Sequence, residues 1–401
     1  MKTKFGVFVV LFIFHLVNEG LCSEHPDADL TTEELIKKYG YPVEAHEVTT
    51  EDGYMITMFR VPHGKNGKRV NQKPIFMMHG LFGQCENFIL NVYNNGSLAY
   101  LMADNGFDVW LGNARGSQHG RKHKHLDPDE QPEFWNFTWH EIGLYDVATQ
   151  IDYILEKTKK KKLQYVGHSQ GGTAFFVLTS LKPEYQQKIV FASLLAPAGF
   201  MRNARNPAIN SIVLIQKDIT WFVEKTNIIE FPPKAIPVKV LLSRGCKNTI
   251  LRLRDLCEFI WHIAMGGNSG EFDAEMLPVA VNFIPTISFK QSIHFAQGIE
   301  SGHFRPWDYG EEKNMEVYGK PLPDDYPLEI IKIPIAMYYS LGDNLAFAQD
   351  VEDMCDAVAN CVRKFLIPNK QWTHADFVAA LHLREVLNLP VLEFARKYFV
   401  Y

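Results

Sequence analysis

Leu163-Gln164-Tyr165-Val166-Gly167-His168-Ser169-Gln170-Gly171-Gly172-Thr173-Ala174-Phe175-Phe176-Val177-Leu178 is the stretch on which the fold turns. Leu163 to Val166 is a short apolar run bounded by glycine, the pattern of a buried strand, and Thr173 to Leu181 is apolar at helical length. Between them Gly167-His168-Ser169-Gln170-Gly171 fits G-x-S-x-G, a serine carried on a strained strand-to-helix turn. Glycine two residues to either side removes the Cβ atoms that so sharp a turn would drive together. Alone, the pattern arises by chance in about one chain in ten of this length. The strand before it and the helix after it give it weight.

Working outward, the same grammar repeats. Pro74 to Met78 is a strand ending in His79-Gly80-Leu81-Phe82-Gly83, and Phe107 to Leu111 ends in Gly112-Asn113-Ala114-Arg115-Gly116. Ile189 to Leu195 runs into Ala196-Pro197, and Ile335 to Ser340 and Lys364 to Ile367 follow late in the chain. Helices are expected over Thr31 to Tyr39, Ile142 to Leu155 and Ala379 to Phe399, and a hairpin over Glu44 to Val61 about Glu51-Asp52-Gly53. Buried strands alternating with helices imply an α/β fold, a mostly parallel central sheet with helices on both faces. Such sheets bind ligands at their carboxyl edge, where these glycine-rich turns fall. From Gly199 to about Leu328 the alternation lapses into helical patterns rich in aromatics, Trp221, Phe259, Trp261 and Phe283 among them. Composition supports two readings of that stretch equally: a mainly helical insertion over the sheet edge, or the core of a second domain.

The chain has 401 residues, 46% of them apolar and 22% charged, a balance that excludes a disordered chain. Its 41 basic and 46 acidic residues give a net charge of −5, which offers no footprint for nucleic acid. Lys2 and Lys4 precede the apolar run Phe5 to Val17, which at about 13 residues suits a signal peptide and is too short to span a bilayer. Gly20 and Cys22 set a cut before Ser23, so residues 1–22 are expected to be a leader. No later run has the length of a membrane span. Secretion implies disulfides, and five cysteines remain: Cys85, Cys246, Cys257, Cys355 and Cys361. An odd number leaves one thiol, here Cys85, and the short-loop pairings Cys246 with Cys257 and Cys355 with Cys361 are favoured without being fixed by sequence. Asn95-Gly96-Ser97 and Asn136-Phe137-Thr138 are glycosylation sequons suited to the same compartment.

A serine hydroxyl needs a base to attack a carbonyl. Where a serine rides this kind of turn, the partners follow in the order acid, then histidine. Asp343 lies just past the strand ending at Ser340, and His374 lies beyond the strand at Lys364 to Ile367. Asp350 and Asp353 compete for the acid but fall in the next helix, and His382, the rival base, falls inside the expected C-terminal helix. Ser169 is thus the candidate nucleophile, His374 the general base and Asp343 the group that orients it. The backbone N–H groups of Gln170, after the nucleophile, and of Leu81, in the turn after an early strand, are the candidate oxyanion donors. His119, His123 and His125 stand among Lys122, Lys124 and Arg121, a cationic setting that disfavours a metal, and no cofactor is implied.

Taken together, Tyr41-Pro42-Val43-Glu44, Glu51-Asp52-Gly53-Tyr54, His79-Gly80-Leu81, Leu111-Gly112-Asn113-Ala114-Arg115-Gly116, Phe134-Trp135-Asn136-Phe137, Gly167-His168-Ser169-Gln170-Gly171, Trp307-Asp308-Tyr309-Gly310 and His374-Ala375-Asp376-Phe377 span nearly the whole chain after residue 22. With these motifs the sequence resembles the acid lipase family, which includes gastric and lysosomal acid lipases. The resemblance implies an α/β-hydrolase fold with core segments 23–198 and 329–401 and a cap at 199–328. It implies Ser169, Asp343 and His374 as the triad, Leu81 and Gln170 at the oxyanion positions, and Cys246 with Cys257 as the cap disulfide. A further cap cysteine of the family is replaced near Met265, and Cys355 with Cys361 looks like an extra pair. The function this implies is a secreted, or alternatively lysosomal, lipid-ester hydrolase acting at a lipid interface. Triacylglycerol is the leading substrate, with cholesteryl and retinyl esters possible. An esterase for short soluble esters and a non-catalytic lipid-binding protein remain as alternatives.

Overall fold

Thr31 opens the first helix, α1 (Thr32–Lys38), with a reciprocal capping box: its hydroxyl accepts from the Glu34 N–H while the Glu34 carboxylate reaches back to the Thr31 N–H. The computed structural model describes residues 25–67, 72–91, 95–226, 229–232 and 253–398. The expected leader, residues 1–22, lies outside them. The expected hairpin follows as β1 (Glu44–Thr49) and β2 (Tyr54–Val61), paired antiparallel. Then come β3 (Lys73–Met78), α2 (Leu98–Asp104), β4 (Phe107–Leu111) and the short β5 (Lys122–His123), which pairs with β2. After these run α3 (Ala148–Thr158), β6 (Leu163–His168), α4 (Gln170–Leu181) and β7 (Ile189–Leu195).

The chain rejoins the sheet only at β10 (Ile335–Tyr339) and β11 (Cys361–Leu366), separated by α8 (Ala348–Ala357), and it closes with α9 (Leu389–Lys397). Between β7 and β10 stand α5 (Pro207–Thr226), β8 (Glu230–Phe231), α6 (Leu253–Met265), β9 (Ile287–Ser288) and α7 (Phe289–Ser301). β7 and β10 are themselves paired in parallel, so this helical stretch interrupts two neighbouring strands. The sheet order is β1-β2-β4-β3-β6-β7-β10-β11, antiparallel at the β1-β2 end and parallel from β4 onward. Its central strands β4 and β6 are buried at every residue, as strands covered on both faces must be.

Two helix expectations need correction. Over Ile142 to Leu155 the helix is not uniform: Ile142–Val147 is wound as a wide π turn leading into α3. The run Ala379 to Phe399 breaks into a short helical turn at Asp376–Ala379, an extended Ala380, a second π turn at Arg384–Asn388 and then α9, with Pro390 in its first turn. Apolar spacing carries no signal for one inserted residue in a helical ladder. Cys355 and Cys361 are joined, with Cα atoms 5.3 Å apart. Cys257 is disulfide-bonded as well, while Cys246 lies outside the described residues. Cys85 is free and buried.

Candidate active site

Ser169 sits between the end of β6 and the start of α4 at φ 52° and ψ −116°. A non-glycine residue holds such a backbone only when its surroundings over-determine it. Here the Ser169 N–H donates to the Leu195 carbonyl at 2.9 Å, and its own carbonyl accepts from Gly172 at 2.8 Å. The glycines behave as the motif demands: a Cβ on Gly171 would stand 2.2 Å from the Met78 carbonyl oxygen, and one on Gly80 would stand 2.8 Å from the Ser169 Cβ. That second approach sets the turn carrying Leu81 beside the serine. Gln170 supplies the first N–H of α4, where the helix dipole presents positive potential.

The structure brings the three candidate residues into one chain of hydrogen bonds. Ser169 Oγ lies 2.8 Å from His374 Nε2, and His374 Nδ1 lies 2.7 Å from Asp343 Oδ2. The other Asp343 oxygen accepts from the backbone N–H groups of Leu345 and Ala346 at 2.8 and 2.9 Å, so the carboxylate is fixed at both ends. All three side chains are buried. The rivals are committed elsewhere. Asp350 bonds Asn203, Asp353 pairs with Arg202, and His382, exposed and outside any helix, pairs with Glu271.

Beside this chain opens an apolar cavity. His374 and His168 stand at its wall with Leu81 and Phe82 of the β3 turn, Trp261 and Phe272, and Phe283 and Ile284. His168 is buried, its ring 5.1 Å from that of His374. Burial drives its pKa well below the ordinary histidine value, so it is a neutral wall of the site. His79 is also buried, which lowers its pKa to about 4. Its Nδ1 bonds the Gly80 carbonyl while its Nε2 accepts from Ala114, tying the β3 turn to the β4 turn.

The three loop histidines do not converge. His119 turns inward to Glu86 at 2.7 Å, whereas His123 bonds the Asp52 carbonyl and accepts from the His125 N–H. Sequence reading missed what His119 does meet: Cys85, Glu86 and His119 place donor atoms within 4.8 Å of one another. Thr32 and His119 hold one Glu86 oxygen, and burial pushes the Cys85 thiol well above its ordinary pKa, so the set is a hydrogen-bonded buried carboxylate beside a neutral thiol. Positions 32, 85, 86 and 119 share no spacing that could have announced it. Asn95 and Asn136 are both exposed.

Comparison with known proteins gives the family. Residues 32–92 match the partial α/β-hydrolase lipase region, and residues 73–214 match the α/β-hydrolase fold. The chain is 33% identical over 392 residues to gastric triacylglycerol lipase of Bos taurus, covering 95% of this chain and 96% of that one. This protein is a member of the acid lipase family. Lipase 1 of Drosophila melanogaster is 40% identical over 374 residues, 92% of this chain and 80% of the relative. A solved structure from Sulfolobus solfataricus superposes with a TM-score of 0.59 at 16% identity, over 93% of this chain and 97% of the other, a likeness of fold alone. As an acid-lipase family member on this fold, the protein is a carboxylic ester hydrolase.

Proposed function

We propose that this acid lipase family member is a secreted lipase that hydrolyses triacylglycerols through an acyl-enzyme on Ser169. His374 takes the serine proton as the hydroxyl attacks the ester carbonyl and returns it to the departing alcohol. Asp343 holds the imidazole in the required tautomer and stabilises the imidazolium. The backbone N–H groups of Leu81 and Gln170 receive the oxyanion. Water then repeats the sequence on the acyl-enzyme to release the fatty acid. The observation that carries this reading is the unbroken contact Ser169 to His374 to Asp343 at 2.8 and 2.7 Å.

The cavity wall supports a lipid rather than a small polar ester: every methylene buried against it contributes about 0.8 kcal/mol. Residues 199–328 act as the cap over this site. Leu214 and Trp221 on α5 and Phe259 and Ile263 on α6 are large apolar side chains exposed on that insertion, Leu214 at 85%. Such a face suits contact with an emulsion or membrane surface. The Cys355–Cys361 bond and the bonded Cys257 suit an oxidising compartment, as do a leader at 1–22 and glycans on Asn95 and Asn136. Among the described residues no helix is long and apolar enough to cross a membrane.

The test is fatty-acid release from emulsified long-chain triacylglycerol, with Ser169→Ala as the blank. Release that disappears in Ser169→Ala is the expected result. Activity confined to short soluble esters would move the protein to the esterase reading, and absence of any serine-dependent turnover in folded protein would leave only lipid binding.

A further inference from the structure

Gln84 lies three residues beyond Leu81, and its side chain is fully buried. An amide in an apolar interior is costly unless its polar ends are bonded. Both ends of Gln84 are bonded, and to different parts of the molecule. Its Nε2 donates to the Phe283 carbonyl at 2.9 Å, and its Oε1 accepts from the Gln118 N–H at 2.8 Å. The Gln118 side chain, which is exposed, donates in turn to the Asn282 carbonyl at 3.1 Å. Thr286 completes the attachment by donating to the Gly116 carbonyl at 2.8 Å. Residues 282–286 of the insertion are thereby laced to core residues 84 and 116–118. The laced segment carries Phe283 and Ile284, which face Leu81 and Phe82 in the apolar cavity.

We propose that Gln84, supported by Gln118, is the positioning residue that sets this enzyme's preference for long acyl chains. The inference rests on the reading of Ser169 and His374 as the hydrolytic centre and of the cavity as the acyl site. Neither glutamine takes part in acyl transfer. Their side chains bond backbone groups only, the Phe283 and Asn282 carbonyls and the Gln118 N–H, so what they control is how firmly the Phe283–Ile284 wall stands against the chain that slides along it. A long chain gains with each methylene in contact with that wall, whereas a four-carbon chain makes few such contacts. Loosening the wall therefore penalises substrates by length, which damage to the triad or to the oxyanion turn would not do.

The experiment compares kcat/KM for p-nitrophenyl butanoate and hexadecanoate in the full-length enzyme, in Gln84→Met and in Gln118→Ala. Gln84→Met keeps the side chain's length and removes both polar ends. It is expected to lose about four- to fifteen-fold on the long ester, equivalent to one or two methylenes of burial, and under about twofold on the short one. Gln118→Ala is expected to change the ratio in the same direction by a smaller factor. Equal losses on both esters, or no loss on either, would overturn the proposal. If Gln84→Met does not fold, Gln118→Ala decides by the same ratio. Failure of the unaltered enzyme to turn over the butanoate in a Ser169-dependent way would bring down the hydrolytic reading itself, and this inference with it.

Discussion

At Asp343 the carboxylate does two jobs with two oxygens: one accepts from the backbone of its own loop and the other from His374. Asparagine can keep the first contact through its carbonyl, but then its N–H₂ faces Nδ1 and imposes the wrong imidazole tautomer. Asp343→Asn is therefore expected to fold normally and to lower kcat by roughly 10⁴-fold on a soluble ester, checked by steady-state rates beside an unchanged circular dichroism spectrum. The triad candidates were legible because each follows a strand that its own apolar run announces. Gln84 and Glu86 were not. Gln84 meets a carbonyl 199 positions away, and Glu86 meets His119 33 positions on, and no local spacing encodes either contact. His168 lies inside the G-x-S-x-G motif, yet its burial against the His374 ring belongs to the packed site and not to the motif.

Among the elements, the π turn at Ile142–Val147 has a clear consequence. It carries Asp146, whose carboxylate accepts from the Arg115 backbone N–H at 2.9 Å and from Nε at 2.8 Å, while the same guanidinium reaches Asp52. Burial works against the Arg115 charge, but the carboxylates of Asp146 and Asp52 outweigh it and raise its pKa. The guanidinium also lies 3.9 Å over the Tyr54 ring. One ion-pair cluster thus binds the loop after β4, the hairpin turn and the helix leading to α3. Arg115→Met would strand a fully buried carboxylate, and a loss of about 3–5 kcal/mol in urea unfolding is expected. A loss below about 1 kcal/mol would mean that Asp146 finds other compensation. The central strands were legible nearly to the residue, since a sheet covered on both faces writes itself as short apolar runs, whereas β11 starts three residues before the expected Lys364 and the two-residue strands β5, β8 and β9 carried no such run. The π turns and the broken C-terminal helix were not, because tertiary contacts such as the Phe272 bridge to Ala380 set them.

For the whole molecule, burial keeps His79, His168 and His294 neutral. Each has a folded-state pKa below its unfolded value, so the unfolded chain takes up protons first as pH falls. Their contribution to stability is present above about pH 6.5 and is lost as pH drops through the folded values. For His79 alone, from 6.5 to about 4, this amounts to about 3 kcal/mol by pH 4. The carboxyls of Asp146, raised to about 6, and of Asp350 and Asp376, all raised chiefly by burial, act in the opposite sense and offset part of this loss. The urea midpoint is expected to fall between pH 7 and pH 4, and His79→Gln to flatten that fall; an unchanged slope in the variant would remove His79 from the account. The proposed division of the chain into two core segments and an insertion also belongs to this scale. The lapse of alternation after Gly199 hinted at it, but the parallel pairing of β7 with β10 across that gap is a property of the assembled sheet. The central claim is that one serine in this assembly is an activated nucleophile, and the most direct measurement is peptide-mapped mass spectrometry after treatment with an alkyl p-nitrophenyl phosphonate. One adduct is expected, on Ser169, absent from Ser169→Ala and formed far more slowly by His374→Ala. No adduct in folded protein, or an adduct on another residue at the same rate, would contradict it.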